Sequence, residues 1–185
     1  MRLPRAVRER ARKIRLLVMD VDGVLTDGRM ILAERGDELK SFHAHDGVAV
    51  ALAQRAGINT AMITGESSPI AKARGAKLGV DSVVLGARRK GETVEALRTE
   101  YNLPAAAVAY IGDDLLDIPA LQTAGLALAV QDAASQVKAV AHFVTRARGG
   151  HGAVREAVEL ILRAQGSWKT IVATYVRDHG GAPLR

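Results

Sequence analysis

The sequence predicts a parallel α/β sheet with helices on both faces and a β-hairpin after the first strand. Three observations predict it. Short apolar runs of strand length alternate with longer segments of helical periodicity. The connections between them are short and rich in glycine, aspartate and proline. Finally, 48% of the 185 residues are hydrophobic, enough to build one core in a chain of single-domain length.

The elements follow in order. Residues 14–19 form an apolar run that stops at Asp20, the pattern of a buried strand. Residues 28–42 read as two short strands around a turn at Arg35-Gly36-Asp37. Asp46 is placed to cap a helix through Val48, Leu52 and Ala56 that Gly57 stops. Residues 58–63 are the next strand, ended by Thr64-Gly65. A helix begins near Ser67, with Pro69 at its start and Gly79 after its end. Residues 83–85 make a strand and 91–101 a helix that Leu103-Pro104 breaks. The strand 108–111 leads into Gly112-Asp113-Asp114. Then come a helix over 115–124, a strand over 126–130, a helix over 133–141, a strand over 142–145 and a helix over 152–164. No linker or repeat divides residues 14–165, which are expected to be one domain. Past Gln165 no periodicity is read, and 166–185 are expected to be a tail, frayed or docked on a partner.

Composition excludes several classes of function. There is no cysteine, so disulfide frameworks, thiolate nucleophiles and zinc–thiolate sites are ruled out. No apolar run approaches the roughly 18–20 residues of a membrane span, and the basic N-terminus lacks a following apolar segment, so a cytoplasmic protein is expected. Aromatic residues are only 3%, too few for a base-stacking surface. The net charge of +6 is concentrated in the leader. Residues 1–15 carry Arg2, Arg5, Arg8, Arg10, Arg12, Lys13 and Arg15 against Glu9, whereas 16–185 carry 19 basic and 19 acidic residues. Residues 1–13 therefore read as a solvated, partly helical basic arm. Binding of nucleic acid or a membrane surface is the less favoured reading of it.

Polar groups collect where the predicted strands end. The first strand leads into Asp20-Val-Asp22-Gly23-Val-Leu-Thr26-Asp27-Gly28, the next into Thr64-Gly65, and a later one into Gly112-Asp113-Asp114-Leu-Leu-Asp117. Ligands of open α/β sheets bind beyond the carboxyl ends of the strands. Carboxylates crowded there repel one another, and a divalent cation is their natural partner; oxygen donors favour magnesium. Asp20 and Asp22 are two residues apart, so one could attack an electrophile while the other handles a proton. Gly23 permits a sharp turn. Thr64 and Gly65 offer donors to phosphoryl oxygens, and Lys90 is the best-placed cation. Singly, each feature is as well explained by a turn or a helix cap. Their order at successive strand ends favours a site.

These residues resemble the four ordered motifs of the haloacid dehalogenase superfamily: 20–28, 63–65, Lys90 and 112–117. More closely, 14–165 resembles its capless phosphatases acting on 3-deoxy-D-manno-octulosonate (Kdo) 8-phosphate. Supporting stretches are Glu38-Leu-Lys-Ser-Phe42, Asp46-Gly47, 108–114 and Gly149-Gly-His-Gly-Ala-Val-Arg-Glu156. The resemblance implies a Rossmann-like sheet without a cap domain and a magnesium-dependent phosphatase of lipopolysaccharide precursor synthesis. It implies that Asp20 is phosphorylated and that Asp22 is the acid and then the base. Magnesium would be held by Asp20, the Asp22 carbonyl and Asp113, supported by Asp114 and Asp117. Thr64, Gly65 and Lys90 would hold phosphoryl oxygens, and Gly23, Glu66, Lys77 and Asp46 would face the substrate. A homotetramer is implied, in which the hairpin and tail cover a neighbour's site.

One residue departs from the pattern. Glu66 stands where Kdo 8-phosphate phosphatases usually carry arginine, and Glu66 with Lys77 resembles phosphatases of nine-carbon ulosonic acid 9-phosphates. The Asp46-Gly47 stretch, the 149–156 run and Ala164-Gln-Gly166 resemble the eight-carbon enzymes instead. A signalling receiver domain is excluded by order, because receivers place the acidic pair first and the phosphorylated aspartate on a later strand. Gly149-Gly-His-Gly lacks the Lys-Ser/Thr of a phosphate loop and reads as a turn near the site, and His142 reads as structural.

Overall fold

The computed structural model describes residues 3–32, 34 and 38–182. The expected turn at Arg35-Gly36-Asp37 lies outside them. The run Leu16–Asp20 forms strand β1, buried along its whole length at the centre of a six-stranded sheet. Its neighbours are β4 (Asn59–Ile63) and β6 (Val108–Gly112), with β5 (Ser82–Val84) outside β4. On the other side, β7 (Leu126–Ala129) and β8 (Phe143–Val144) follow β6. Every pairing is parallel. Strands buried on both faces read as unbroken apolar runs, which is why 14–19 and 108–111 were legible. The chain builds outward from β1 to β5 and then returns to β6, so the strand order reverses between β1 and β6. The loops at their carboxyl ends diverge there and open a crevice.

Helices α1 (Arg5–Ala11), α2 (Ala44–Arg55), α7 (Ala153–Ala164) and α8 (Trp168–Asp178) pack on one another. A second group contains α4 (Lys90–Glu100), α5 (Ile118–Thr123) and α6 (Ser135–Val140). Right-handed crossovers with a reversal of strand order place the two groups on opposite faces. Helix α3 (Pro69–Leu78) covers β5 and ends at Gly79 in the left-handed conformation, as expected. The expected hairpin is present as β2 (Ile31–Leu32) paired antiparallel with β3 (Glu38–Leu39), apart from the main sheet.

The structure differs from expectation in four places. Helix α2 starts at Ala44 with His43 as its cap residue, so Asp46 lies inside the first turn. The helix expected over 115–124 is a tight turn over Leu115–Asp117 followed by α5, because Asp114 caps the Leu115 N–H and Asp117 folds back on the turn. Residues 168–178, where no periodicity was read, form α8. Trp168, Ile171, Val172 and Tyr175 recur at helical spacing and pack on the chain's own core. The guanidiniums of Arg155 and Arg163 lie 5.1 and 5.3 Å from the Trp168 ring centre, and this contact helps to seat the helix. The basic leader also reaches the core. Val7 and Ala11 are buried, while Arg10 and Arg12 donate to the carbonyls of Gly125 and Ala164 at 2.7 and 3.1 Å.

Candidate active site

Parallel strands end on one edge, so polar groups far apart in sequence converge there. A cleft of about 250 Å³ at this edge is lined by Asp20, Asp22, Gly28, Met30, Thr64, Gly65, Glu66, Lys90, Asp113, Asp114, Leu116 and Asp117. A larger cavity of about 540 Å³ beside α7 holds none of the expected residues; its arginines face Glu156 and Glu159.

Asp20 closes β1 and is 4% exposed. Lys90, the first residue of α4, places its Nζ 2.8 Å from Asp20 Oδ1 and 2.6 Å from Asp117 Oδ1. Asp117 accepts three more hydrogen bonds: from the Tyr110 hydroxyl at 2.6 Å and from the N–H groups of Asp113 and Asp114 at 2.8 and 3.1 Å. Both its oxygens are therefore committed within the protein, and it organises the loop after β6. Asp114 caps the following turn through the Leu115 N–H at 2.8 Å. Asp22 is held at both oxygens, with Lys40 Nζ on Oδ1 at 2.5 Å and the Thr64 hydroxyl on Oδ2 at 3.0 Å. The Thr64 hydroxyl also accepts the Glu66 N–H at 3.0 Å. The Thr64 proton is thus directed at Asp22, whereas the Gly65 N–H has no acceptor among the described residues.

The electrostatics call for a cation. Ligand atoms of Asp20, Asp113 and Asp117 lie within 4.8 Å of one another. Burial, followed by repulsion from Asp20 and Asp117, pushes the Asp113 carboxyl up to about 8. Burial and Asp117 push Asp20 up to about 7, against the pull of Lys90. Burial works to lower the Lys90 ammonium, but Asp20 and Asp117 outweigh it and raise it. Once all are ionised, three carboxylates and one ammonium leave two uncompensated negative charges, the amount a divalent cation supplies. Asp113 Oδ1 is buried and has no hydrogen-bond partner, and the Asp22 carbonyl accepts none among the described residues. With Asp117 saturated, Asp20, Asp113 and the Asp22 carbonyl are the free oxygen donors, a set that suits magnesium.

Gly23 makes this approach possible. Its φ is +88°, and a Cβ there would lie 2.1 Å from Asp113 Oδ2. Gly23→Ala is expected to cost about 1–3 kcal/mol in strain and to displace Asp113. Magnesium affinity should fall roughly tenfold or more, as measured by calorimetric titration, with thermal unfolding followed in parallel. The Gly149-Gly-His-Gly turn is also near the site, where it buttresses the 23–27 loop. The Gly150 N–H donates to the Val24 carbonyl at 2.9 Å, and a Cβ at Gly149 would overlap the Gly23 carbonyl.

Three expected substrate contacts do not line the cleft: Gly23, which lies against Asp113, and Asp46 and Lys77. Asp46 is 1% exposed, and its oxygens accept the N–H groups of Gly152 and Arg155 at 3.2 and 2.7 Å. It caps α7 rather than its own helix and faces no substrate. Burial raises its carboxyl despite these bonds. Lys77 is exposed in the last turn of α3, away from the lining. His142 is structural, as expected: its Nδ1 accepts the Ala127 N–H at 2.9 Å. Lys40 and Tyr110 were not singled out. The sequence signals for Lys40 are its place in the Glu38-Leu-Lys-Ser-Phe42 stretch of the resemblance and the Glu38-x-Lys40 spacing, which puts both side chains on one side of an extended segment.

Fold and site together define a haloacid dehalogenase-type hydrolase, and residues 80–156 match the family described as haloacid dehalogenase-like hydrolase. The chain is 41% identical over 160 residues to the 3-deoxy-D-manno-octulosonate 8-phosphate phosphatase KdsC of Escherichia coli (strain B / BL21-DE3), covering 86% of this chain and 85% of that protein. It is 41% identical to a probable yrbi family phosphatase of Pseudomonas syringae pv. phaseolica 1448a, with a TM-score of 0.90 over 93% of this chain and 98% of that one. The 3-deoxy-D-manno-octulosonate 8-phosphate phosphatase of Moraxella catarrhalis, solved with magnesium, phosphate and KDO, superposes with a TM-score of 0.89 at 37% identity. That match covers 91% of this chain and 97% of the other. The chain belongs to the 3-deoxy-D-manno-octulosonate 8-phosphate phosphatase family of these hydrolases.

Proposed function

We infer that this protein is a magnesium-dependent phosphatase that hydrolyses Kdo 8-phosphate to Kdo and inorganic phosphate. The observation that carries the reading is the meeting of Asp20, Asp22 and Asp113 in one cleft, in a chain 41% identical to named phosphatases of that substrate. A carboxylate oxygen of Asp20 attacks phosphorus. The bond from phosphorus to the sugar oxygen breaks, and Asp22 gives that oxygen its proton. Asp22 then takes a proton from water as the water oxygen attacks phosphorus, which frees Asp20 and releases phosphate. Lys90 and the Gly65 N–H neutralise the phosphoryl oxygens, and Thr64 keeps Asp22 aimed. Asp20, Asp113 and the Asp22 carbonyl would hold magnesium, which when bound offsets the negative charge shared by phosphoryl group and carboxylates.

The nine-carbon reading needs Glu66 and Lys77 together. Glu66, which departs from the eight-carbon pattern, lines the cleft and Lys77 does not; the 41% identity to named Kdo 8-phosphate phosphatases favours the eight-carbon acid. Residues 14–165 form the catalytic domain in this reading, with α1 before it and α8 after it packed against its core. A cytoplasmic homotetramer accords with it. No helix among the described residues is long and apolar enough to cross a membrane, and Met30, Ile31, Leu32 and Leu39 leave an exposed apolar patch on the hairpin for a neighbouring subunit. The deciding assay is kcat/KM on Kdo 8-phosphate and on a nine-carbon ulosonic acid 9-phosphate, with magnesium and after chelation. The expected result is at least about a tenfold preference for the eight-carbon substrate, a modest gap of the kind pocket contacts supply, and loss of activity on chelation. The reverse preference overturns the substrate, and inactivity on both overturns the phosphatase.

A further inference from the structure

The hairpin reaches Asp22 through one side chain. Lys40 directly follows β3, and its side chain is 1% exposed. Its Nζ sits between two carboxylates, 2.5 Å from Asp22 Oδ1 and 2.9 Å from Glu38 Oε1. Burial works to lower the ammonium, but its bonds to Asp22 and Glu38 outweigh that and keep it charged. Glu38 Oε2 accepts the hydroxyl of Ser68 at 3.1 Å, and Ser68, buried itself, immediately precedes α3. A continuous chain of contacts thus runs from the start of α3 through Glu38 and Lys40 to Asp22. Thr64 holds the other oxygen of Asp22 from the end of β4. Lys40 does not line the cleft, so its influence passes through Asp22.

A terminal carboxylate torsion is broad and nearly two-fold when nothing restrains it. Proton transfer needs the donor oxygen within about 2.6–3.2 Å of its target. Two donors, on different elements and on different oxygens, remove that freedom. A buried ammonium is tolerated only where its partners are fixed, which here couples the hairpin to the catalytic carboxylate. We propose that Lys40, anchored by Glu38 and Ser68, is a positioning residue that sets the geometry in which Asp22 protonates the leaving oxygen. The proposal rests on the reading of Asp22 as the acid and base.

This role shows in leaving-group dependence, which a merely structural role would not move. A sugar alkoxide needs the proton as it departs, whereas p-nitrophenolate leaves without it. The ratio kcat/KM reports the reaction up to departure of that first group. With the magnesium-loaded full chain, Lys40→Met is expected to lower kcat/KM on Kdo 8-phosphate by about 30-fold or more, a sizeable part of what a general acid contributes. On p-nitrophenyl phosphate the fall should be under about threefold, since little acid assistance is needed there. Lys40→Arg should recover most of the loss. Ser68→Ala and Glu38→Gln loosen the anchor without touching Asp22, and they should show a smaller loss confined to the sugar phosphate; they carry the test alone if circular dichroism shows Lys40→Met unfolded. Equal losses on both substrates, or no loss on the sugar phosphate, overturn the proposal. Asp22→Asn assayed on the same two substrates separates the layers. A selective loss in Asp22→Asn without one in Lys40→Met sinks only the positioning role. An equal loss on both substrates in Asp22→Asn sinks the acid role beneath it.

Discussion

Replacing Asp20 with asparagine is expected to lower turnover of Kdo 8-phosphate by at least about 10⁴-fold, the scale seen when a covalent nucleophile is removed. The chain should stay folded. Asparagine has the same shape, keeps an oxygen toward Lys90, and relieves repulsion with Asp113 and Asp117. Lys90 keeps its bond to Asp117 at 2.6 Å, so no buried ammonium is left alone. In the proposed mechanism the substitution removes the attacking carboxylate, along with one donor to the metal. Phosphate release at saturating magnesium, with circular dichroism as the control for folding, is the measurement. Activity within tenfold of the parent would remove Asp20 from the reaction.

Asp117→Ala is expected to harm both stability and rate. Asp117 is fully buried and accepts hydrogen bonds from Lys90, Tyr110 and the N–H groups of Asp113 and Asp114. Alanine leaves all four donors without that acceptor, one of them charged. Lys90 keeps Asp20, but each buried donor left without an acceptor costs about 1–3 kcal/mol; for the Tyr110 hydroxyl and the two N–H groups, less the relief of repulsion on Asp20 and Asp113, a loss of about 3–5 kcal/mol is expected, a fall in Tm of roughly 6–20 °C for a chain of this size. Turnover should fall by about 10²-fold as Lys90 and the Asp113 loop lose their support. Asp117→Asn should be only partly milder, because its NH₂ must face either Lys90 and Tyr110 or the two backbone N–H groups. Calorimetry and steady-state kinetics measure the two effects separately. An unchanged Tm would contradict the buried network.

Much of this site could be read before any coordinates. Asp20, Asp22, Thr64, Gly65, Lys90 and Asp113 meet because strands of a parallel sheet end on one edge, although the strand order β5-β4-β1-β6 sets them in a different order across the sheet than along the chain. The misreadings have a common cause. Asp46 has the residue type and position of a helix cap, but its oxygens cap α7, more than one hundred residues away. Lys77 shares α3 with the edge of the site but faces outward near the far end of that helix. Helix α8 was missed although its apolar spacing was present, because polar residues between Trp168 and Tyr175 dilute the pattern. Lys40 lies in the Glu38-Leu-Lys-Ser-Phe42 stretch, but nothing local points it at Asp22, eighteen residues earlier.

Residue order and hydrophobic period alone determined the parallel sheet and the acidic edge where its strands end, since these follow from backbone geometry repeated along the chain; the reversal of strand order beside β1 belongs to the tertiary structure. Only tertiary packing decided which carboxylates remain free for a cation and which are consumed: among the described residues Asp113 keeps an unpaired oxygen, whereas Asp117 has none. That division depends on donors arriving within about 3 Å from distant segments, a distance that no local pattern encodes.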